Sequence, residues 1–144
     1  MKQKTEMNLN KIAEKHSFKC GRQKRFLIPS ILLLLLEKPS HGYELMDKYA
    51  EFGFTDTGSD AGAIYRTLKS LESDGFVESK WDTGNAGAAK KVYCITEKGK
   101  ILLENWVKEM NEKKNSLVLF IERYKKSNKA LAETNKKLFF KKNK

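Results

Sequence analysis

The stretch AGAIYRTLKSLESDGFVESKW, residues 61–81, decides the fold. Ile64, Leu68 and Leu71 recur at i, i+4 and i+7, which draws one apolar stripe along a helix. Gly75 supplies the left-handed position that closes such a helix, and Phe76 supplies the apolar contact that follows it. From Val77 the period changes: Val77, Ser79 and Trp81 alternate with Glu78 and Lys80, as in a strand. The helix face away from the stripe is small and polar with two positive charges: Gly62, Ala63, Arg66, Thr67, Lys69 and Ser70, with Tyr65 at its boundary. Ser59 or Asp60 is the expected N-cap.

Downstream, KVYCI (residues 91–95) alternates again and pairs with the first strand as a hairpin, across a glycine-rich loop that ends in Lys90 and Lys91. Thr96 is placed to cap a long last helix. On that helix Leu103, Trp106, Met110, Lys113, Leu117, Phe120 and Tyr124 follow spacings of three and four, and only Lys113 breaks the apolar seam. A seam of this kind calls for a partner helix. The short core has little spare surface for it, so a second subunit is expected. Beyond Lys125 the seam weakens, and Leu138, Phe139 and Phe140 among lysines read as a fraying end.

Upstream lies FLIPSILLLLLEKPSHGYELM, residues 26–46. Its apolar run, Phe26 to Leu36, would span about 16 Å as a helix, roughly half a bilayer core, so it does not cross a membrane. It starts late in the chain and lacks a small-residue cleavage site, which argues against a secretion signal. The remaining reading is a buried helix, with Pro29 in its first turn and Pro39 beyond its end. Ser40 is the expected N-cap of a following helix with Leu45, Met46 and Tyr49 on its inner face, ended by Gly53.

The net charge of +11 is unevenly spread: +3 over residues 1–20, zero over 21–95, +1 over 96–124 and +7 over 125–144. Basic ends point to a polyanionic partner. Cys20 and Cys94, without a credible signal, are expected as reduced thiols in a cytoplasm. His16 and Cys20 stand at helical spacing, but two ligands are too few for a closed metal site. No phosphate loop, paired-carboxylate signature or nucleophile–histidine constellation stands out, so neither an enzyme nor a cofactor is expected.

The order helix, helix, turn, helix, hairpin, long helix is mainly α with a small β-hairpin wing. It is that of a winged helix-turn-helix domain followed by a dimerisation helix. The expected division is a basic N-terminal arm, flexible or marginally helical (1–20), the winged domain (21–95), the dimerisation helix (96–124) and a lysine-rich tail (125–144). This architecture suits double-stranded DNA. Gly62 and Ala63 give clearance for entry into the major groove, Arg66 can read a guanine edge or hold a phosphate, and Lys90 and Lys91 can touch phosphates. The full set assigned to DNA is Ser59, Gly62, Ala63, Tyr65, Arg66, Thr67, Lys69, Lys90 and Lys91. The rival reading is an interaction protein that uses its basic amphipathic tail on a membrane, granule or acidic partner.

PSHGYELM, AIYRTLKSLESDGFVESKWD and KKVYCITEKG, in this order and spacing, resemble the PadR family of bacterial transcriptional regulators over about residues 24–124. The leucine-rich helix and ESKWDTGNAG also resemble a narrower branch described as poly-β-hydroxybutyrate-responsive repressors. That branch has proline and arginines before the second wing strand where this chain has Ala88-Ala89-Lys90-Lys91, so point charges replace bidentate forks. The resemblance implies a homodimeric, sequence-specific repressor whose last helix packs on the partner's first helix. It also implies a hydrophobic small-molecule or polymer effector held at the dimer interface. Leu32, Leu35, Leu103, Trp106, Met110 and Leu117 are the residues it assigns there.

Overall fold

The computed structural model describes residues 2–17, 26–52, 61–84 and 89–142. The elements are α1 (Lys2–Lys15), α2 (Leu27–Glu37), β1 (Ser40–His41), α3 (Gly42–Tyr49) with a 3-10 turn at Ala50–Phe52, α4 (Ala61–Ser73), β2 (Val77–Asp82), β3 (Lys90–Ile95) and α5 (Glu97–Lys142). They form two units, residues 1–107 and 108–144. The expected terminators and caps at Gly53, Ser59 and Asp60 lie outside the described residues, as does Cys20.

In the first unit α2 is the central rod. Leu27, Ile31, Leu32, Leu34 and Leu35 are buried, and Leu36 is exposed. Each buried leucine contributes about 1.5–3 kcal/mol of transfer free energy. Leu45 and Tyr49 of α3, Ile64, Leu68 and Leu71 of α4, and Leu102, Leu103 and Trp106 of α5 complete this core with Phe76, Val77 and Tyr93. The stripe expected on α4 is therefore its buried face.

The sheet has three strands in the order β1-β3-β2, not the two of a simple hairpin. Ser40 pairs with Tyr93 and His41 with Val92. Ser40 is accordingly a strand residue whose Oγ donates to the Lys38 carbonyl at 3.0 Å, and it does not cap α3. The cap is His41, whose backbone N–H donates to Glu44 Oε1 at 3.2 Å. Pairing with β3 fixes Ser40 in extended backbone one residue too early to cap.

The turn after α4 follows its sequence signature. Gly75 takes φ +83°, the Phe76 N–H donates to the Leu71 carbonyl at 2.9 Å, and the Gly75 N–H donates to the Glu72 carbonyl at 3.1 Å. Thr96 caps α5 as expected, its Oγ1 accepting the Gly99 N–H at 3.1 Å. A methyl group on Gly99 would collide with the Phe76 carbonyl oxygen, so α5 can start this close to the turn only at a glycine.

Residues 2–15, whose weak helical pattern suggests a flexible or marginal arm, form a helix. What orders them is tertiary. His16, 4% exposed, lies edge-on to the Phe76 ring, its Nε2 stands 2.5 Å from Asp74 Oδ2, and its carbonyl accepts the Trp106 indole N–H at 2.7 Å. Burial pushes the Asp74 carboxyl up, but the His16 hydrogen bond and the adjacent Lys15 charge outweigh it, so its pKa lies below the ordinary value.

In the second unit, residues 111–141 of α5 are all exposed, and the helix runs on to Lys142 where a fraying end was expected. Residues 100–144 hold neither glycine nor proline, and lysines in the last turns complement the helix dipole. No helix among the described residues is long and apolar enough to cross a membrane.

Because Asp74 gives up its proton more readily folded than unfolded, its contact stabilises the fold above the ordinary carboxylate range. That stability is lost as pH falls through the folded value. Asp74→Asn should therefore unfold more easily than the parent at pH 7, and the two urea midpoints should converge in acid.

Candidate nucleic-acid interface

The outer arc of α4 is narrower than its sequence suggests. Tyr65, Arg66 and Lys69 are exposed, and Gly62 and Ser70 are half-buried. Ala63 and Thr67 are 8% and 7% exposed, and Thr67 Oγ1 donates to the Ala63 carbonyl at 2.7 Å. Both were expected on the open face. They lie instead on the flank packed into the core, because the buried arc of α4 is wider than the three-residue stripe. Ser59 is outside the described residues.

Tyr65 owes its position to α3. A side chain on Gly42, the first residue of that helix, would occupy the space of the Tyr65 ring. The glycine of the HGYE segment is thus required for close approach.

The wing is tied to the other edge of α4 through Glu72. Ser79 Oγ on β2 donates a short hydrogen bond to Glu72 Oε1, and Lys91 Nζ on β3 lies 3.7 Å from Glu72 Oε2. The Lys91 ammonium also stands 5.7 Å from the centre of the Trp81 ring. Burial, then the charge of Glu72, then Tyr65 push the Tyr93 phenol above its ordinary pKa.

Lys90 and Lys91, read as a pair, diverge to opposite faces of the sheet, as successive strand residues must. Lys90 Nζ lies 5.1 Å from the centre of the Tyr43 ring. His41 stacks on Tyr43 at 5.3 Å and 6°, and its Nδ1–H donates to the Lys91 carbonyl at 3.1 Å. His41, Tyr43, Glu72 and Trp81 therefore belong to this surface although sequence reasoning did not select them. Tyr43 was visible within HGYE. Trp81 was masked because its alternation with Val77 and Ser79 points to the core face, and the strand simply outruns the core.

Leu32, Leu35, Leu103 and Trp106 are buried in the core of the first unit, and Trp106 finds its polar partner there in His16. In the second unit Met110 is half-buried and Leu117 exposed. Among the described residues no three metal-ligating side chains cluster, and His16 is committed to Asp74.

The model of the transcriptional regulator PadR-like family matches residues 31–105. A crystal structure of a conserved protein described as a potential transcriptional factor is 41% identical, with TM-score 0.65, over 74% of this chain and 95% of its own. Bacillus subtilis PadR in complex with operator DNA is 29% identical, with TM-score 0.52, over 59% of this chain and 48% of its own. A "probable transcriptional regulator" of Mycobacterium tuberculosis is 33% identical over 81 residues, and the chain spans only 42% of its length.

Gly42→Ala should displace the Tyr65 ring, which is half exposed and free to swing outward. The expected cost in urea unfolding is below about 1 kcal/mol, well short of overpacking in a rigid core. In a double-mutant cycle with Tyr65→Ala that cost should disappear.

Proposed function

The chain belongs to the PadR-like family of transcriptional regulators, and from that premise we propose that it is a homodimeric, sequence-specific repressor of double-stranded DNA, released by a hydrophobic effector. Its work is regulation and not enzymatic catalysis, and its place is the cytoplasm, with the DNA. The observation that carries the reading is the exposed arc of Tyr65, Arg66 and Lys69, continued through Glu72 into Lys91 of the wing. Helix entry into the major groove needs such a face, and phosphate contacts need cations flanking it. That the Bacillus subtilis relative was solved in complex with operator DNA supports DNA as the ligand.

The homodimer rests on α5. Leu103, Met110, Leu117, Tyr124, Leu131 and Leu138 recur every seven residues, so the apolar series continues through the lysine-rich tail. Lys125, Lys126, Lys129 and Lys136 fall on the opposite side of the helix, and Asn128, Ala130 and Asn135, which flank the series, are uncharged. Through Leu131 the charge of the tail is thus turned away from the seam, while Lys137, Lys141 and Lys142 crowd it around Leu138; the uncharged stretch favours a second copy of this chain as the partner. The effector follows from the family resemblance and its polymer-responsive branch, supported by the large apolar side chains that α5 leaves exposed.

Duplexes selected from a random library by the purified protein should bind at least about a thousandfold tighter than scrambled DNA. Arg66→Ala should lose about tenfold or more, the scale of one good base or phosphate contact. If deleting residues 125–144 abolishes binding while Arg66→Ala changes nothing, the tail-mediated interaction reading takes its place.

Leu117→Asp combined with Leu131→Asp should weaken dimerisation by at least about a hundredfold in sedimentation equilibrium, since each substitution removes a buried leucine from the seam. A variant as dimeric as the parent would refute the seam.

A further inference from the structure

Trp81 is the outlying feature of the wing. The two tryptophans of the chain contrast sharply: Trp106 is buried with its N–H bonded to His16, whereas Trp81 is 62% exposed. Among the described residues the Trp81 indole N–H has no hydrogen-bond partner. Leaving so large an aromatic surface in water forgoes free energy that a partner surface would recover.

Its placement says which surface. Cross-strand partners share a sheet face, and Ser79 pairs with Tyr93 while Trp81 pairs with Lys91. Tyr93 is buried, and Ser79 is bonded to Glu72 of α4, so this face is the one turned toward α4. Trp81 is the next residue on it, beyond the edge of the core. Around α4 from Glu72 come Tyr65, then Lys69, then Arg66, which makes one strip from the recognition helix to the indole.

The indole is also held. It sits on a paired strand, and the Lys91 ammonium above its ring is tethered in turn by Glu72. Such bracing limits the ordering entropy lost on binding.

We propose that Trp81 is a DNA-contacting residue of the wing, its indole packing on the deoxyribose wall beside the groove that α4 enters, while Lys91 exchanges the Glu72 carboxylate for a backbone phosphate. The exchange keeps one anion on the ammonium and the cation over the ring, while the Glu72 carboxylate, about a third exposed, keeps its Ser79 hydrogen bond and takes water in place of Lys91. Sugar–phosphate packing of this kind is tolerant of sequence and adds affinity and register, leaving base discrimination to α4. The inference rests on the DNA reading above.

The test uses the full-length protein and a duplex that it selects from a random 30-base-pair library. Affinity is measured by fluorescence anisotropy for the parent, Trp81→Ala, Trp81→Phe and Arg66→Ala. Acrylamide quenching is measured with and without saturating duplex, and the difference between parent and Trp81→Phe isolates Trp81, because buried Trp106 is common to both. Trp81→Ala should bind about tenfold more weakly and Trp81→Phe within about threefold of the parent. Quenching of the Trp81 component should fall on saturation. If Trp81 stays as accessible on saturating duplex, or Trp81→Ala binds as tightly as the parent while Arg66→Ala is weakened, the wing contact is overturned and the DNA reading stands. If the library yields no enriched duplex, the DNA reading fails and this inference fails with it.

Discussion

Phe76 is the point at which the first unit is tied together. Its N–H closes α4 on the Leu71 carbonyl, and its own carbonyl accepts both the backbone N–H and the Oγ1 of Thr96, at 3.1 and 3.0 Å. Its ring is buried in a T-shaped contact with His16, and the Lys98 ammonium stands 4.6 Å from its centre. One residue thereby joins the end of α4, both wing strands, the start of α5 and the end of α1. The left-handed glycine before it and the absence of a side chain on Gly99 are the two steric conditions for that junction.

From this junction the electrostatics of the wing follow. Residues 21–95 carry no net charge, so attraction to a polyanion must come from how charges are arranged. Glu72 takes the central role, holding Lys91 and Ser79 on the hairpin while Lys69 and Arg66 remain exposed along the same helix. Lysines that sit over aromatic rings are presented in defined directions. The ion pair itself, about a third exposed at either end, matters more for placing the hairpin than for stabilising it.

The last helix has two characters within one element. Over residues 97–107 it is a core helix, buried through Leu102, Leu103 and Trp106. From Asn111 onward every described residue is exposed, including Leu117, Phe120 and Tyr124. Leu117, Tyr124, Leu131 and Leu138 of this stretch are the exposed part of the series on which the proposed homodimer rests.

By itself the sequence determined the order of the elements α2, α3, α4, β2, β3 and α5, the stripe on α4, the Gly75 turn, the Thr96 cap and the buried leucine helix. Each of these is written in local periodicity or in a residue whose backbone preference is strong enough to survive any tertiary context. Tertiary structure alone decided the rest. The pattern of residues 1–20 is too weak to fix a helix, and α1 is held through His16 by partners more than fifty residues away. Ser40 has the chemistry of a cap but is claimed by a strand pairing with Tyr93. Ala63 and Thr67 look like an open polar face, yet close packing on the core covers them. Trp81 alternates as a core residue, yet the core ends before reaching it. In each case the local preference was worth less than a contact whose partner lies far along the chain, and no window of sequence contains both.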